Sequence, residues 1–333
     1  MTLPPLRIAI IGAGVFARDV HLPTLLSMPD RFEVAAVCSR SHESAEHLAS
    51  AAHLPVEVTT DLDALLARDD IDVVDIIVPI NVLPDITERA LDSGKHVISE
   101  KPVAPTVARG KALLAHQRPD RVWMVAENMR YVQSFLAAAD ILKSGQLGQP
   151  IIASWTVRNA MAPGNKYYNT EWRRAGDFPG GFLLDGGVHN MAALRLLMGE
   201  AEEVAAFTKL VRADMPPLDT VSSTIQFESG ALGTFGLTFS AASPSDSGLT
   251  VVCENGMIRV RNDQLEVTQS GQTDRSFFSE RGVYEEFMAL SEAIRNGVPH
   301  RNTAQEALRD VALLEAMFRS GEAGQIVRPE LVP

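Results

Sequence analysis

Asp185 and His189 stand four residues apart in "GGFLLDGGVHNM", Gly180 to Met191. A carboxylate and an imidazole at that spacing can form a reactive pair on one face of a helix. They can also be plain structure: Asp185 as the N-cap of a helix read in "AALRLLMGE" and ending near Gly199, and His189 as a half-buried helix residue bonded to a carbonyl. These residues alone leave both readings open. Lys101 is a second reactive group, between Glu100 and Pro102. Pro102 has no N–H to give a sheet, so it stops the strand "KHVIS" and aims the ammonium beyond the strand end. A third signal is the loop "GAGVFA". Gly12 permits a tight turn, Gly14 lets backbone approach a pyrophosphate, and Ala17 is small enough for close helix–strand packing, with Val15 and Phe16 between them.

The elements that would hold these groups follow from the apolar pattern. The buried run Leu6 to Ile11 precedes the glycine loop and a helix-like segment follows it, which favours dinucleotide binding over an ordinary turn. "FEVAAVCS", "IDVVDIIVP", "KHVISEKP" and "VWMVAE" read as strands, separated by helices such as the one from Ser41, its cap, to His53. This alternation predicts an α/β fold with a doubly wound parallel sheet. Ligands lie at the carboxyl ends of such strands. Pro79, Asn81, Glu100, Lys101, Glu127 and Asn128 fall there and are expected to line one crevice with the glycine loop.

The second strand bears on the choice of cofactor. An acid about 20 residues past the fingerprint normally takes the ribose 2′-hydroxyl of NAD. Here the slot holds Ser39, Arg40 and Ser41, with no carboxylate to repel a phosphate. NADP(H) is therefore favoured over NAD(H), although Arg40 stacked on adenine would serve either.

After residue 127 the texture changes to strand-like runs, among them "IIASWTVRN", "TVSSTIQFE" and "LTVVCE", with two closing helices near Tyr284–Arg295 and Thr303–Arg319. Alternation of apolar and polar residues predicts a large, mostly antiparallel open sheet. The domains are read as 1–127, a Rossmann domain, and 128–333, a substrate-binding and oligomerisation domain whose last helix is free to return to the first. A long loop, "NAMAPGNKYYNTEWRRAGDFPGG", carries residues suited to a polyhydroxylated ligand. Arg158, Lys166, Tyr168, Asn169 and Trp172 are the candidates.

The 333 residues are 46% hydrophobic with a net charge of −12, which argues for a full core and against nucleic acid or an anionic membrane as partner. Cys38 and Cys253 cannot form a disulfide framework, and no convincing set of metal ligands is present. No apolar run reaches a membrane span, and "MTLPPLR" leads almost at once into a core strand, so a cytoplasmic protein is expected.

Taken together, "GAGVFA", "EKP" and "GGFLLDGGVH" resemble the glucose-fructose oxidoreductase/inositol dehydrogenase/rhizopine-catabolism (Gfo/Idh/MocA) family over essentially the whole chain. The resemblance implies an N-terminal Rossmann domain, a C-terminal α/β domain whose open sheet makes dimers or tetramers, and oxidation or reduction of sugars or inositols with NAD(P). It places Lys101, Asp185 and His189 at the catalytic positions. An imidazole, with its ordinary pKa of ~6.5, suits removal of a carbinol proton near neutrality. Asp185 would orient it or grip a hydroxyl, and Lys101 would stabilise a developing alkoxide. Two positions depart from the family pattern: Ala192, where many relatives carry an Asp, and Pro84, in place of a histidine. The family also includes a catalytically silent sensor that binds the dinucleotide, which stands as the alternative.

Overall fold

The apolar run near the N-terminus becomes β1 (Leu6–Ile11), whose Ile8, Ala9 and Ile10 are wholly buried. Around it the structure, a computed structural model that describes residues 3–52, 56–279 and 281–333, builds a six-stranded parallel sheet. The other strands are β2 (Phe32–Cys38), β3 (Glu57–Thr59), β4 (Val73–Ile76), β5 (His96–Glu100) and β6 (Trp123–Ala126). Their spatial order, β3-β2-β1-β4-β5-β6, is the doubly wound order, with the switch point between β1 and β4. Strands covered on both faces lose the period-two alternation, so β4 is buried at all its positions, Asp75 included. Crossovers run through α1 (Leu22–Leu26), α2 (His42–Ala51), α3 (Leu62–Leu66) and α4 (Leu83–Asp92). The Ser41 hydroxyl caps α2, accepting from the Ser44 N–H at 3.3 Å; the expected end at His53 lies outside the described residues. Helix α5 (Val107–Leu114) follows β5.

The chain forms two units. The first comprises Met1–Ala104, Ala108–Glu127 and Val283–Ala307; the second, Pro105–Val107, Asn128–Gly282 and Leu308–Pro333. In the second, α6 (Gln133–Ser144) leads into β7 (Pro150–Ala160), the short α7 (Glu171–Arg174) and α8 (Phe182–Met198). Then come β8 (Ala201–Lys209), β9 (Thr220–Phe227), β10 (Leu232–Thr238), β11 (Ser240–Asp246), β12 (Leu249–Cys253), β13 (Gly256–Val260), β14 (Gln264–Gln269) and β15 (Gln272–Phe277). The nine strands form one mixed sheet, β15-β14-β13-β12-β7-β10-β9-β8 with β11 on β7, in which only the β7–β10 pair is parallel among the described residues. Its inner face carries Trp155 and Phe235, ring centroids 6.1 Å apart, with Phe135 of α6 against Trp155. β11 and β15 have no counterpart in the sequence reading. Both are polar and almost fully exposed, so neither leaves an apolar alternation.

The chain closes with α9 (Gly282–Asn296) and α10 (Ala304–Ala323). The sequence assigned all of 128–333 to one domain and left the last helix free to return. The helix that belongs with the parallel sheet is α9, because its Phe287 and Leu290 complete the core around Ile8, Ile10, Leu22 and Val34. Burying such a side chain contributes about 1.5–3 kcal/mol, enough to fix that helix to the sheet. Among the described residues no helix is long and apolar enough to cross a membrane.

Candidate active site

In the first unit, the carboxyl end of the sheet gathers the sequence-chosen residues. Gly12 has φ of +108°, and a Cβ there would stand 2.1 Å from the Ile77 carbonyl at the end of β4, so only glycine fits. Two residues on, a Cβ on Gly14 would meet nothing within 4 Å. The loop is thus closed against its neighbour strand and open outward, a cradle that fits a dinucleotide pyrophosphate. Val15 and Phe16 are half-buried and Ala17 is fully buried, as close packing of the loop requires. Pro79 and Asn81 follow β4, and Glu100 ends β5 with Lys101 after it. Asn128 belongs to the second unit.

Ser39 and Arg40 lie just past β2. Ser41 spends its hydroxyl on the α2 cap, and the Ser39 hydroxyl lies 3.1 Å from that of Ser44. Arg40 is exposed and makes no ion pair among the described residues, which leaves its guanidinium available.

Glu100 is buried, and its Oε2 accepts from the Lys101 backbone N–H at 3.2 Å. Behind it stands a group that sequence reasoning missed: His21, buried between Glu100 and Asp75. Its signal was present, since Asp75 interrupts an otherwise apolar buried strand, and a carboxylate there needs a partner.

In the second unit, α8 starts earlier than expected and Gly181 is its N-cap, with no side-chain cap bond. Gly180 and Gly181 both have positive φ, and a Cβ on Gly181 would press to 2.6 Å from the Pro216 carbonyl. Asp185 therefore lies inside the helix and is not its cap. Its Oδ2 instead accepts from Arg173 Nε at 2.7 Å, an ion pair with both side chains largely buried. The Arg173 guanidinium lies 4.1 Å from the Trp172 ring centroid and 5.3 Å from that of Tyr167. His189, half-buried, is one helical turn beyond Asp185 on the same face. Arg173 was not anticipated: it is remote in sequence from Asp185, and only the folding back of the loop through α7 pairs them.

The rest of the loop divides. Trp172 packs on Phe178 at 5.9 Å and, through Arg173, is joined to Asp185. Tyr168 is buried, and its hydroxyl donates to Asp214 at 2.5 Å, between the guanidiniums of Arg174 and Arg212. Hydrogen bonds from Arg212 and then Tyr168 hold Asp214 down to about 2, so this knot braces the loop. Arg158 does not join the group. Period-two alternation turns Trp155 and Val157 inward and Arg158 outward, where it donates to Ser245 at 2.9 Å. Lys166 stands over the Tyr167 ring at 5.3 Å. A cluster with metal-ligand chemistry that the sequence did not suggest, Glu88, Asp92 and His116, is already engaged by Arg109 and by its own His116–Asp92 bond.

A doubly wound sheet with an open glycine cradle, followed by a unit with a large mixed sheet, is the architecture of a Rossmann-type protein that fits a dinucleotide. Residues 6–126 match the oxidoreductase family with NAD-binding Rossmann fold, and residues 135–259 match the GFO/IDH/MocA C-terminal domain. The chain belongs to the Gfo/Idh/MocA oxidoreductase family. It is 35% identical to the dehydrogenase FPY6 of Fusarium mangiferae over 94% of this chain and 95% of that one. To a dTDP-3,4-didehydro-2,6-dideoxy-alpha-D-glucose 3-reductase of Streptomyces violaceoruber it is 36% identical, over 60% of this chain and 56% of the other. Among solved structures, an oxidoreductase of Thermotoga maritima superposes with a TM-score of 0.91 at 31% identity, covering 97% of this chain and 98% of that one. A levoglucosan dehydrogenase in complex with NADH and L-sorbose shares the fold, with a TM-score of 0.90 at 21% identity over 99% and 100%.

Proposed function

We propose that the protein is an NAD(P)-dependent dehydrogenase or reductase acting between the carbinol and carbonyl forms of a sugar, inositol or related polyhydroxylated small molecule. The observation that carries this reading is the state of Asp185: a carboxylate ion-paired to Arg173 beside aromatic faces, one turn before His189. A helix cap needs neither partner. Carboxylate, imidazole and an aromatic ring suit a ligand with many hydroxyls and an apolar face. The glycine loop, Pro79, Asn81 and Glu100 hold the cofactor, whose nicotinamide supplies or accepts the hydride. His189 takes the hydroxyl proton on oxidation and returns it on reduction. Asp185 orients that imidazole or holds a neighbouring hydroxyl, Trp172 offers a stacking face, and Lys101 supplies positive charge to the alkoxide. Two free, buried cysteines, Cys38 and Cys253, fit a reducing cytoplasmic setting.

A screen of NADP and NAD against aldoses, inositols, anhydrosugars and keto-sugars, read by the absorbance of the reduced cofactor, tests the proposal. Turnover with at least one class is expected. Tight dinucleotide binding without turnover on any of them indicates the sensor-like alternative.

NADP(H) is the favoured cofactor, since Arg40 is exposed where a carboxylate would select NAD. Loss of a hydrogen bond to a charged group costs ~1.5–3 kcal/mol, so Arg40→Ala should lower kcat/KM for NADP by about 10- to 10²-fold. The value for NAD should hardly change. An equal fall for both cofactors would mean that Arg40 only stacks on adenine.

The assembly proposed is a homodimer or homotetramer through the open sheet. Ile152 of β7 lies in register with Leu232 of β10 and Val252 of β12, and all three are exposed. On β8, Phe207 is 81% exposed. An apolar row on a solvent-facing sheet marks an interaction surface. Phe207→Glu combined with Leu232→Glu should convert the oligomer to monomer in light scattering after size exclusion; a wild type already monomeric at micromolar concentration refutes it.

A further inference from the structure

Of a buried ionisable cluster in the first unit, the chemistry proposed above uses only Glu100, at the cofactor. His21 and Asp75 are 1% and 0% exposed, Glu127 and Glu286 are 1% each, and Glu100 is 8%. His21 Nδ1 stands 2.8 Å from Asp75 Oδ2 and 3.1 Å from Oδ1. On the other side of the ring, Nε2 is 3.1 Å from Glu100 Oε1, an ion pair rather than an aligned hydrogen bond. Phe16 and Phe287 meet the ring edge-on at 5.1 and 5.3 Å. A carboxylate beside each nitrogen favours the charged form of the ring. Burial alone would lower its pKa, but Asp75 and then Glu100 outweigh it and raise the value to about 10. Burial pushes Asp75 upward against the attraction of His21. Glu286 of α9, the third acid facing the ring, is pushed well above the usual carboxylate range by burial, with Glu100 and Glu127 adding to the shift. It accepts from Asn302 Nδ2 at 2.6 Å, and the same amide donates to the Glu127 carbonyl at 2.9 Å.

The cluster's connectivity is directional. Asp75 is in the middle of β4, in register with Ile10 of β1 and Ile98 of β5. Glu100 is the last residue of β5, and its second oxygen accepts from the Lys101 N–H. His21 reaches both because the chain between the glycine loop and α1 winds as one π-helical turn, Ala17–His21. Such turns recur at functional positions. Stability alone does not explain a buried ionic group, since well-packed apolar residues of similar volume are commonly as stable or more so. What the cluster adds is direction: it ties the end of β5 to the switch-point strand through one ring.

We propose that His21, clasped between Asp75 and Glu100, is a positioning residue that fixes the Glu100–Lys101–Pro102 strand end and so sets where the Lys101 ammonium stands. The catalytic consequence rests on the role given to Lys101 above; the positioning itself does not.

Two variants test it, His21→Gln and Asp75→Asn, the second keeping a hydrogen-bond partner for the ring if the first fails to fold. The first readout is the rate of acetylation of Lys101 by a dilute active ester, followed by mass spectrometry with Lys143 as internal reference. Loss of a charge-assisted tie that limits local opening should raise the Lys101 rate about tenfold in either variant. In a turnover assay, kcat should fall by about 10²-fold with the KM for dinucleotide nearly unchanged, as misplacement of a reacting group predicts. The third readout is stability against pH. With a folded pKa of about 10 against an unfolded value near ~6.5, the His21 contribution is full below the unfolded value and disappears as pH rises towards 10. Wild type should lose stability across that window, and His21→Gln should lack the His21 part of that loss, leaving what Asp75 and Glu286 contribute. A merely structural role would lower the melting temperature and leave Lys101 labelling and kcat of the folded variant as in wild type. Folded variants with both unchanged overturn the proposal. If wild type turns over no polyol, the functional reading fails, while Lys101 labelling still decides this one.

Discussion

His189→Ala should fold with near-normal thermal stability, bind the dinucleotide and lose most of its alcohol oxidation. Removing a positioned base typically costs ~10²–10⁴-fold in rate. His189 is half-buried on α8, and the N-cap of its helix is Gly181, so the substitution removes no cap. Asp185→Asn is the companion change. An amide can still orient an imidazole, so a measurable fraction of activity should remain. It would also leave Arg173, held by Asp185 at 2.7 Å, without its carboxylate. Part of the loss should therefore be shared by Arg173→Ala, and the double variant should be less than additive. If Asp185→Asn and His189→Ala both melt several degrees lower and turn over like the wild type, the start of α8 is scaffold and the functional proposal loses its support.

Lys101→Ala should depress kcat strongly while changing dinucleotide affinity little. A cation matched to charge that develops in the transition state is worth ~2.7–4 kcal/mol, a fall of about 10²–10³-fold in kcat. Lys101 is half-buried directly beyond β5, with its backbone N–H bonded to the Glu100 carboxylate. The backbone stays tied when the side chain is truncated, so the strand end should survive. Titration of protein fluorescence with the reduced dinucleotide, beside steady-state kinetics, separates the roles. Weakened binding with kcat intact would make Lys101 a phosphate ligand, and the charge-stabilising role would be abandoned.

Local chemistry made much of this protein readable from its residues. The run Leu6–Ile11, the turn at Gly12, the open approach at Gly14 and the strand stop at Pro102 each follow from a property of the residue itself. A buried parallel strand must be apolar, a turn against a neighbouring carbonyl must be glycine, and proline cannot continue a ladder. The same holds for the inner face of the mixed sheet, where Trp155 and Val157 alternate with outward residues. That rule also turns Arg158 to the outer face of the sheet.

Tertiary structure alone decided the pairings. Arg173 with Asp185, Tyr168 with Asp214, and His21 with both Asp75 and Glu100 join residues whose separation in the chain carries no periodicity. Asp185 followed by a helix reads as a cap in sequence, because a cap needs only the next three residues. It became an ion-paired carboxylate because Gly180 and Gly181 let the helix begin one turn earlier. The return of α9 to the first unit is of the same kind. Its apolar stripe announces that the helix must be buried, but only the assembled sheet, with room for Phe287 and Leu290, determines where. Side-chain type and local backbone geometry are properties of a few neighbouring residues, whereas the partner of a charge or an apolar stripe is chosen by whichever surface the rest of the chain brings to it.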